Sequence, residues 1–325
     1  MSMPWNGEEP KAAAPLGPAP GDDDLPRRPG RIHISARQRG VDLTTLGRLA
    51  LHLPEILAST AVVFSLSYVV DALFAPPWWA SLACWLLSGA VAFHQPCERV
   101  IARWLYDLRH PTLEENRKLR AVWHEVAARA GVDERGYQLW VEESDSVNAL
   151  AAASHIVGVT SHSLGALSHA QLAGVLAHEL GHHIRGHAWA ALLIHWYGLP
   201  GRLAWRLLRR LAGRIDRLST GATALAVGLG AAAVMALAAA TYGLIFLPLL
   251  TPYLAAAVQR RSELRADEHA AGLGFAPELL TVLRNEHERV GPEPSGGGVI
   301  ARLLDSHPDV HTRMHHLQKR LDARA

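Results

Sequence analysis

Two histidines separated by three residues, in the run His178-Glu179-Leu180-Gly181-His182, constrain this chain more than any other feature. The flanking residues are apolar at helical spacing, so the run predicts a helix with both imidazoles on one face, within reach of one tetrahedral Zn²⁺. Glu179 is placed to act as general base on a water that the metal activates. A chain with 19 histidines can contain this pattern by chance. However, a charged Glu179 on such an apolar helix favours the metal site.

A catalytic zinc site needs a third protein ligand and an open position for water. A histidine six residues after His182 is excluded, because Ala188 occupies that position. The best candidate is Glu263. Asp267 lies four residues later, on the same face of the predicted helix, and is placed to orient a ligand histidine. The alternative is a solvated charged helix, which runs of Glu, Arg and Asp usually form.

The composition directs attention to membrane segments, because hydrophobic residues make up 49% of the chain and the mean hydropathy is +0.07. Two apolar runs, at 56–74 and 78–93, are each close to the roughly 20 residues that cross a bilayer. Arginines flank both ends of this pair, which predicts that both ends are cytoplasmic. A buried helical hairpin in a soluble core is the alternative.

Residues 222–258 contain no charged side chain. As one straight helix they would extend for about 55 Å, far beyond the hydrocarbon core of about 30 Å, so they are predicted to form a membrane hairpin. The alternative has 188–208 crossing outward and 222–247 returning. The predicted organisation has five segments: a disordered basic cytoplasmic tail at 1–50, a transmembrane hairpin at 51–96, a cytoplasmic part with the HExxH helix at 97–221, the membrane-embedded segment at 222–258, and a cytoplasmic part at 259–325 with the third ligand and C-terminal helices.

The segment before the HExxH helix predicts a small sheet. Residues 112–130 have the pattern of an amphipathic helix that ends at Gly131, and the runs at 137–141 and 155–160 alternate like strands. The expected fold class is mainly α, with integral membrane helices plus a zincin-like α+β metallopeptidase domain that contains this sheet. A net charge of only +2 indicates no nucleic-acid partner.

With these residues in place, the chain resembles the HtpX-like and CAAX prenyl protease-type integral membrane zinc metallopeptidases, of the gluzincin class. The resemblance covers about 140–320 and departs from the family at Asp309, where a second proline is usual. Arginines also interrupt the region after HExxH, which is normally an apolar crossing. The resemblance rests on four motifs in the family's order: Asn148-Ala149 before a strand, HExxH followed by Gly186-His187, Glu263 with Ala266-Asp267, and Ser306-His307-Pro308 followed by Arg313.

The resemblance implies a role for each of these residues. It implies one Zn²⁺ per chain, with Glu179 as general base and acid. The ligands that it implies are His178, His182 and Glu263. The residues that it implies for aligning the substrate backbone are Asn148 and Ala149. The residues that it implies for holding substrate or the tetrahedral oxyanion are His307 and Arg313.

The expected function is cleavage of membrane-associated or misfolded proteins by zinc-activated water. The expected location is a bacterial plasma membrane, with several crossings and a cytoplasmic peptidase domain. Its partners are then polypeptide substrates, membrane proteins among them, and the lipid bilayer. One alternative is a regulatory signalling metallopeptidase similar to the β-lactam sensor-transducers, which also carry Ile-Arg after HExxH but need an external sensor segment. The other is a non-catalytic zinc-stabilised membrane scaffold; Glu179 argues against it, since a structural site closes with four ligands and needs no base.

Overall fold

The computed structural model describes residues 41–74, 77–213, 250–290 and 309–323, with single residues at 221, 224, 228, 232 and 235. The helices in this part of the chain are α1 (Leu43–Phe74), α2 (Trp78–Ala92), α3 (Gln95–Leu105), α4 (Leu113–Ala130), α5 (Ser161–Ala166), α6 (His169–Ile184), α7 (His187–Ala212), α8 (Thr251–Gly272), α9 (Ala276–Val290) and α10 (Val310–Asp322). The strands are β1 (Leu108–Arg109), β2 (Gln138–Glu142), β3 (Ala149–Ala152) and β4 (Ile156–Thr160). The expected class is confirmed: the fold is mainly α with one small sheet.

Helix α1 begins at Leu43, which corrects the prediction of a disordered tail up to residue 50. Asp42 immediately precedes the helix, and its Oδ1 accepts a hydrogen bond from the Leu43 N–H at 2.6 Å. The same carboxylate forms ion pairs with Arg185, at 3.4 Å, and with Arg265. These contacts fasten the start of α1 to distant parts of the chain and order residues 43–50. The rest of the predicted tail, residues 1–40, lies outside the described residues.

Within the described ranges, α1 is the one helix that is long and apolar enough to cross a membrane, judged by length and composition. Only 11% of its most apolar window is buried, so it is not the core helix of a soluble protein. The second apolar run, predicted at 78–93, forms the helix α2. Helix α2 has 15 residues, about 22 Å at 1.5 Å per residue, and ends where Phe93 and His94 begin a turn into α3.

Helix α7 packs along α1. The Gly201 N–H donates to the Ser59 hydroxyl at 3.0 Å, and Arg202 forms an ion pair with Glu55 at 3.2 Å. The beginning of the arginine-rich segment therefore lies beside the first apolar run rather than apart from it. Most of the predicted hairpin at 222–258 lies outside the described residues. From Thr251 onward the chain is one continuous helix, α8, that runs past the predicted boundary at 258.

The sheet packs against residues of α2, α3 and α7 on one side and contacts α6 on the other. Its strand order is β1-β2-β4-β3, with β2 and β4 parallel and both outer pairs antiparallel. All five residues of the central strand β4 are buried. Helix α4 matches the segment predicted at 112–130, because Thr112 and Glu115 form a capping box and Gly131, at φ 67°, ends the helix. Strand β3 forms an edge of this sheet.

Helices α6 and α8 cross at very short distance. A Cβ built on Gly181 would lie 3.1 Å from both the Ala266 Cα and the His269 Cβ, so any larger residue would have to push the neighbouring helix away. Helix α9 also packs closely against α6, since a Cβ on Gly174 of α6 would lie 3.0 Å from the Leu279 backbone nitrogen of α9. These contacts bring the HExxH motif of α6 and the acidic residues of α8 together.

Candidate metal centre

Helix α6 carries the two histidines of the HExxH motif. It begins at a capping box, in which the Ser168 hydroxyl accepts from the Gln171 N–H and the Gln171 side chain accepts from the Ser168 N–H. His178 and His182 lie one turn apart on its buried face, with their ring centroids 4.9 Å apart. Both imidazoles therefore point into the same space from a helix that is buried over most of its length.

Glu263 reaches this space from α8. Its Oε2 lies 3.4 Å from the His178 Nε2, and its Oε1 lies 3.5 Å from the His182 Nε2. One ligand atom from each of the three residues lies within 4.8 Å of the other two. Two imidazole nitrogens and one carboxylate oxygen at this spacing suit a zinc ion that keeps a fourth position open. The sequence-predicted ligands therefore fit the metal that they were predicted to hold.

The candidate ligand His178 has Asp267 as its hydrogen-bond partner. Its Nδ1 lies 2.8 Å from the Asp267 Oδ1, which leaves Nε2 directed at Glu263. Arg313, from α10, donates to both oxygens of Asp267, at 2.6 and 2.8 Å. Burial alone would raise the pKa of Asp267, but hydrogen bonds from His178 and Arg313 hold it below its usual value. Asp267 is thus an ionised carboxylate behind the ligand.

The ligand His182 has a different partner. Its Nδ1 lies 2.9 Å from the Nδ1 of His187, at the start of α7. The other ring nitrogen of His187 lies 2.9 Å from the Thr44 hydroxyl, at the start of α1. Burial lowers the pKa of His187 to about 4, so its ring is neutral at physiological pH. Two helix starts therefore lie behind the second histidine.

Without metal, the charges in the site favour protonated His178 and ionised Glu263. Burial lowers the pKa of His178, but hydrogen bonds to Asp267 and Glu263 overcome this effect and raise the pKa to about 10. Burial raises the pKa of Glu263, but the hydrogen bond and the charge of His178 outweigh it, so the pKa is well below its usual value. Without metal, the two groups therefore form an ion pair, with 3.4 Å between the His178 Nε2 and the Glu263 Oε2.

Glu179 lies beside the ligands and next to the edge strand. The buried side chain has a pKa raised to about 7, chiefly because burial disfavours the charged form, and the His178 charge acts in the opposite direction. The backbone N–H of Ala151, in β3, donates a hydrogen bond to the Glu179 carboxylate. A carboxyl group with this pKa can both accept and release a proton near neutral pH.

A cavity of about 390 Å³ opens onto these groups. One wall consists of the three ligand residues and Glu179, and another of residues 147–151, which lead into and along β3. The predicted backbone-aligning residues Asn148 and Ala149 thus line the same cavity as the predicted ligands. Arg313 also lines it, whereas the predicted catalytic residue His307 lies outside the described residues.

Four residues of the site have no role in the sequence-based predictions. Gln259 donates to the Glu263 Oε1 at 3.0 Å, and Arg48, from α1, lines the cavity. His187 and Thr44 lie behind His182, as described above. One signal is visible in the sequence: Asp42 and Thr44 stand before an apolar run, as helix-capping residues do. Nothing in the sequence indicates that this helix start meets the metal site.

Comparisons with known proteins show which family and which relatives this chain is similar to. The sequence profile of "Peptidase family M48" matches residues 113–321. Protease HtpX of Shewanella oneidensis is 30% identical over 196 residues, 55% of this chain and 66% of that protein. The "Protease HtpX homolog" of Methylacidiphilum infernorum is 25% identical over 298 residues, 81% of this chain and 96% of the homolog. Among solved structures, S. mikatae Ste24p aligns with a TM-score of 0.47 at 16% identity, over 86% of this chain and 67% of that one.

Proposed function

The chain belongs to peptidase family M48, and on this premise we propose that it is a membrane-bound zinc metalloendopeptidase. The single observation that carries the proposal is the convergence of His178, His182 and Glu263, with ligand atoms within 4.8 Å of one another. The cavity beside them holds a candidate base and an edge strand. Zinc supplies, when bound, a Lewis acid that polarises a scissile carbonyl and lowers the pKa of water.

Glu179 is the group that moves the proton in this proposal. It takes a proton from the attacking water and delivers it to the leaving amine. The Ala151 N–H holds one side of the carboxylate, and burial keeps the pKa of Glu179 at about 7. A pKa near the working pH suits a group that must act first as base and then as acid.

The edge strand β3 is the proposed binding site for the substrate backbone. The Thr160 N–H donates to the Asn148 carbonyl at 3.1 Å, and backbone hydrogen bonds then alternate along an antiparallel pair. By this alternation the backbone groups of Ala149 and Ala151 point away from β4, towards the cavity side. An extended peptide that adds to this edge would pass alongside Glu179.

The C-terminal residues have separate proposed roles. We retain His307 as a residue that holds substrate or the tetrahedral oxyanion, a role whose loss costs about 10²–10³ in rate. For Arg313 the contacts support a different emphasis. Its Nε and Nη2 hold Asp267, and its Nη1 lies 3.8 Å from the Glu263 Oε2. In this proposal the main role of Arg313 is to hold Asp267 and Glu263 in place, and its position in the cavity wall gives it a secondary role towards the substrate.

The proposed substrates are membrane proteins or polypeptides close to the bilayer, and the proposed location is a bacterial plasma membrane. The support is the position of the metal site relative to the apolar helix. Thr44, in the first turn of α1, is two hydrogen bonds away from the ligand His182. The catalytic groups therefore lie at the end of the helix that is proposed to enter the membrane.

The test compares detergent-purified wild-type protein with Glu179→Gln for bound zinc and for cleavage of casein and of the chain itself. The expected result is about one zinc in both proteins and cleavage by wild type alone, because glutamine keeps the shape but cannot take a proton. Wild-type turnover by Glu179→Gln would overturn the mechanism. Zinc in both proteins with cleavage by neither would favour the non-catalytic scaffold.

A further inference from the structure

The two histidines of the metal site are supported in different ways. His178 has an ionised carboxylate directly behind it, with 2.8 Å between its Nδ1 and the Asp267 Oδ1. His182 has a second imidazole ring in the same place, with 2.9 Å between its Nδ1 and the His187 Nδ1. Two imidazoles that face each other through their Nδ1 atoms hydrogen-bond only if one ring carries a proton there and the other does not.

Binding a metal through Nε2 removes this ambiguity. His182 then carries its proton on Nδ1, and donates it to the bare Nδ1 of His187. The proton of His187 must lie on Nε2, where it donates to the Thr44 hydroxyl at 2.9 Å. The Thr44 hydroxyl in turn donates to the Asp42 Oδ2 at 3.2 Å. These hydrogen bonds form a row that runs from His182 through His187 and Thr44 to Asp42. Each donor and each acceptor between neighbours in this row is assigned, and the row ends on a carboxylate.

The far end of the row is anchored. Asp42 accepts hydrogen bonds from the Leu43 N–H and from Arg265, and forms a second ion pair with Arg185. Arg265 lies on α8, two residues after the proposed ligand Glu263. The carboxylate therefore joins the start of α1 to the helix that supplies the third ligand.

We propose that Thr44 and His187 are positioning residues, which fix the ring of the ligand His182 from the first turn of the membrane helix α1. This inference rests on the zinc site proposed above. Outer partners of ligand histidines set the tautomer and the ring orientation, and their loss typically weakens metal binding about 10–100-fold. The start of α1 thus becomes part of the metal site, although it lies more than 130 residues earlier in the chain.

Thr45 provides a matched control. It lies in the same turn of α1, is fully buried, and donates its hydroxyl to the Arg185 carbonyl at 2.8 Å. This hydrogen bond holds the same helix start in place. Among the described residues, however, Thr45 forms no hydrogen bond with His187. Thr44→Val and Thr45→Val therefore each remove one threonine hydroxyl from the same helical turn. Only Thr44→Val interrupts the hydrogen bonds that lead to His182.

The experiment uses the full chain in the Glu179→Gln background, so that self-cleavage plays no part. The parent and its Thr44→Val, Thr44→Ser and Thr45→Val variants are compared for zinc affinity, by competition with a chelator. The visible spectrum of the cobalt-substituted protein reports the geometry of the ligands. Thermal unfolding of the metal-free forms checks that each variant folds. Zinc binding by the parent and its loss in His182→Ala test the proposed function separately.

The expected result is that Thr44→Val binds zinc about 10–100-fold more weakly and alters the cobalt spectrum, whereas Thr44→Ser, which keeps the hydroxyl, recovers both. Thr45→Val should match the parent in affinity and in spectrum. The proposal is overturned if Thr44→Val binds zinc as tightly as the parent. It is also overturned if the two valine variants weaken binding equally, since the helix start would then act only as a scaffold.

Discussion

Arg313 donates two hydrogen bonds to Asp267, at 2.6 and 2.8 Å, and the Oδ1 of Asp267 lies at hydrogen-bond distance, 2.8 Å, from the Nδ1 of His178. The C-terminal helix α10 is thereby connected to the candidate metal site through this buried carboxylate, and also through the Arg313 Nη1, which lies 3.8 Å from the Glu263 Oε2. A bidentate pair of this kind fixes direction as well as charge. The position of the His178 ring depends on a residue 135 positions later in the chain.

Replacing Asp267 with Asn should weaken zinc binding about 10–100-fold. The amide oxygen can still accept from His178, but the charge that favours the His178 N–H and the bidentate pair with Arg313 are lost. Glu268→Gln is the control, because it removes the same charge from the next residue, whose partners are His316 and Arg320. Equal zinc affinities for the two variants, measured by chelator competition, would show that Asp267 does not orient the ligand.

The close crossing of α6 and α8 gives a second prediction. In Gly181→Ala the new methyl group meets the Ala266 Cα and the His269 Cβ at 3.1 Å, so the helices must separate. We expect a loss of about 1–3 kcal/mol in the free energy of unfolding, together with weaker zinc binding, because the ligands of the two helices move apart. In Gly165→Ala, the added methyl group has no atom within 4 Å, so stability should be unchanged or slightly higher. A harmless Gly181→Ala substitution, measured by denaturant unfolding, would contradict the packing.

His269 gives a prediction for the dependence of stability on pH. Its Nε2 is buried and has no hydrogen-bond partner among the described residues, and burial, aided by the charges of Arg185 and His178, lowers its pKa to about 4. The unfolded chain binds a proton at an ordinary pKa near 6.5, so below that pH the unfolded state gains protons that the folded state excludes. The stability that neutral His269 contributes is therefore present above about pH 6.5 and is lost as the pH falls towards 4.

The measurement is denaturant unfolding of the metal-free protein at several pH values between 4 and 6.5, with His269→Leu beside His315→Gln, which removes an exposed histidine. His269→Leu should lose less stability over this range than wild type, and His315→Gln should behave like wild type. Some loss should remain in His269→Leu, because burial also lowers the pKa values of His183 and His187 to about 4. If the free energy of unfolding of His269→Leu falls with decreasing pH as steeply as that of wild type, the His269 ring is not a group whose protonation causes the loss.

Local patterns predicted the parts of the structure that depend on local physics. The amphipathic pattern at 112–130 and the glycine at 131 predict the bounds of α4 almost to the residue, and the structure adds a capping box formed by Thr112 and Glu115. The four-residue spacing of Glu263 and Asp267 placed both on one helix face, and the structure directs both at the HExxH histidines. The family membership indicated by the four motifs is confirmed by the profile match over residues 113–321.

Long-range contacts could not be predicted in this way. Local patterns alone predict that the start of α1 belongs to a disordered tail. The structure instead joins this start to the rest of the chain through Asp42, whose ion-pair partners Arg185 and Arg265 no local pattern connects to it. The pairing of Thr44 with His187 has the same origin. Strand order cannot be predicted either, since alternation indicates a strand but not its neighbours. Strand β4 pairs directly with β2 in parallel, although β3 lies between them in the sequence and forms the edge of the sheet.

The central claim is that His178, His182 and Glu263 hold one zinc ion with an open position. X-ray absorption at the zinc edge of the full-length Glu179→Gln protein tests it most directly. The account predicts only nitrogen and oxygen neighbours at about 2.0–2.2 Å, with scattering from two imidazoles that falls to one, or is lost with the metal, in His182→Ala. Sulfur neighbours at about 2.3 Å, or a spectrum that His182→Ala leaves unchanged, would contradict it.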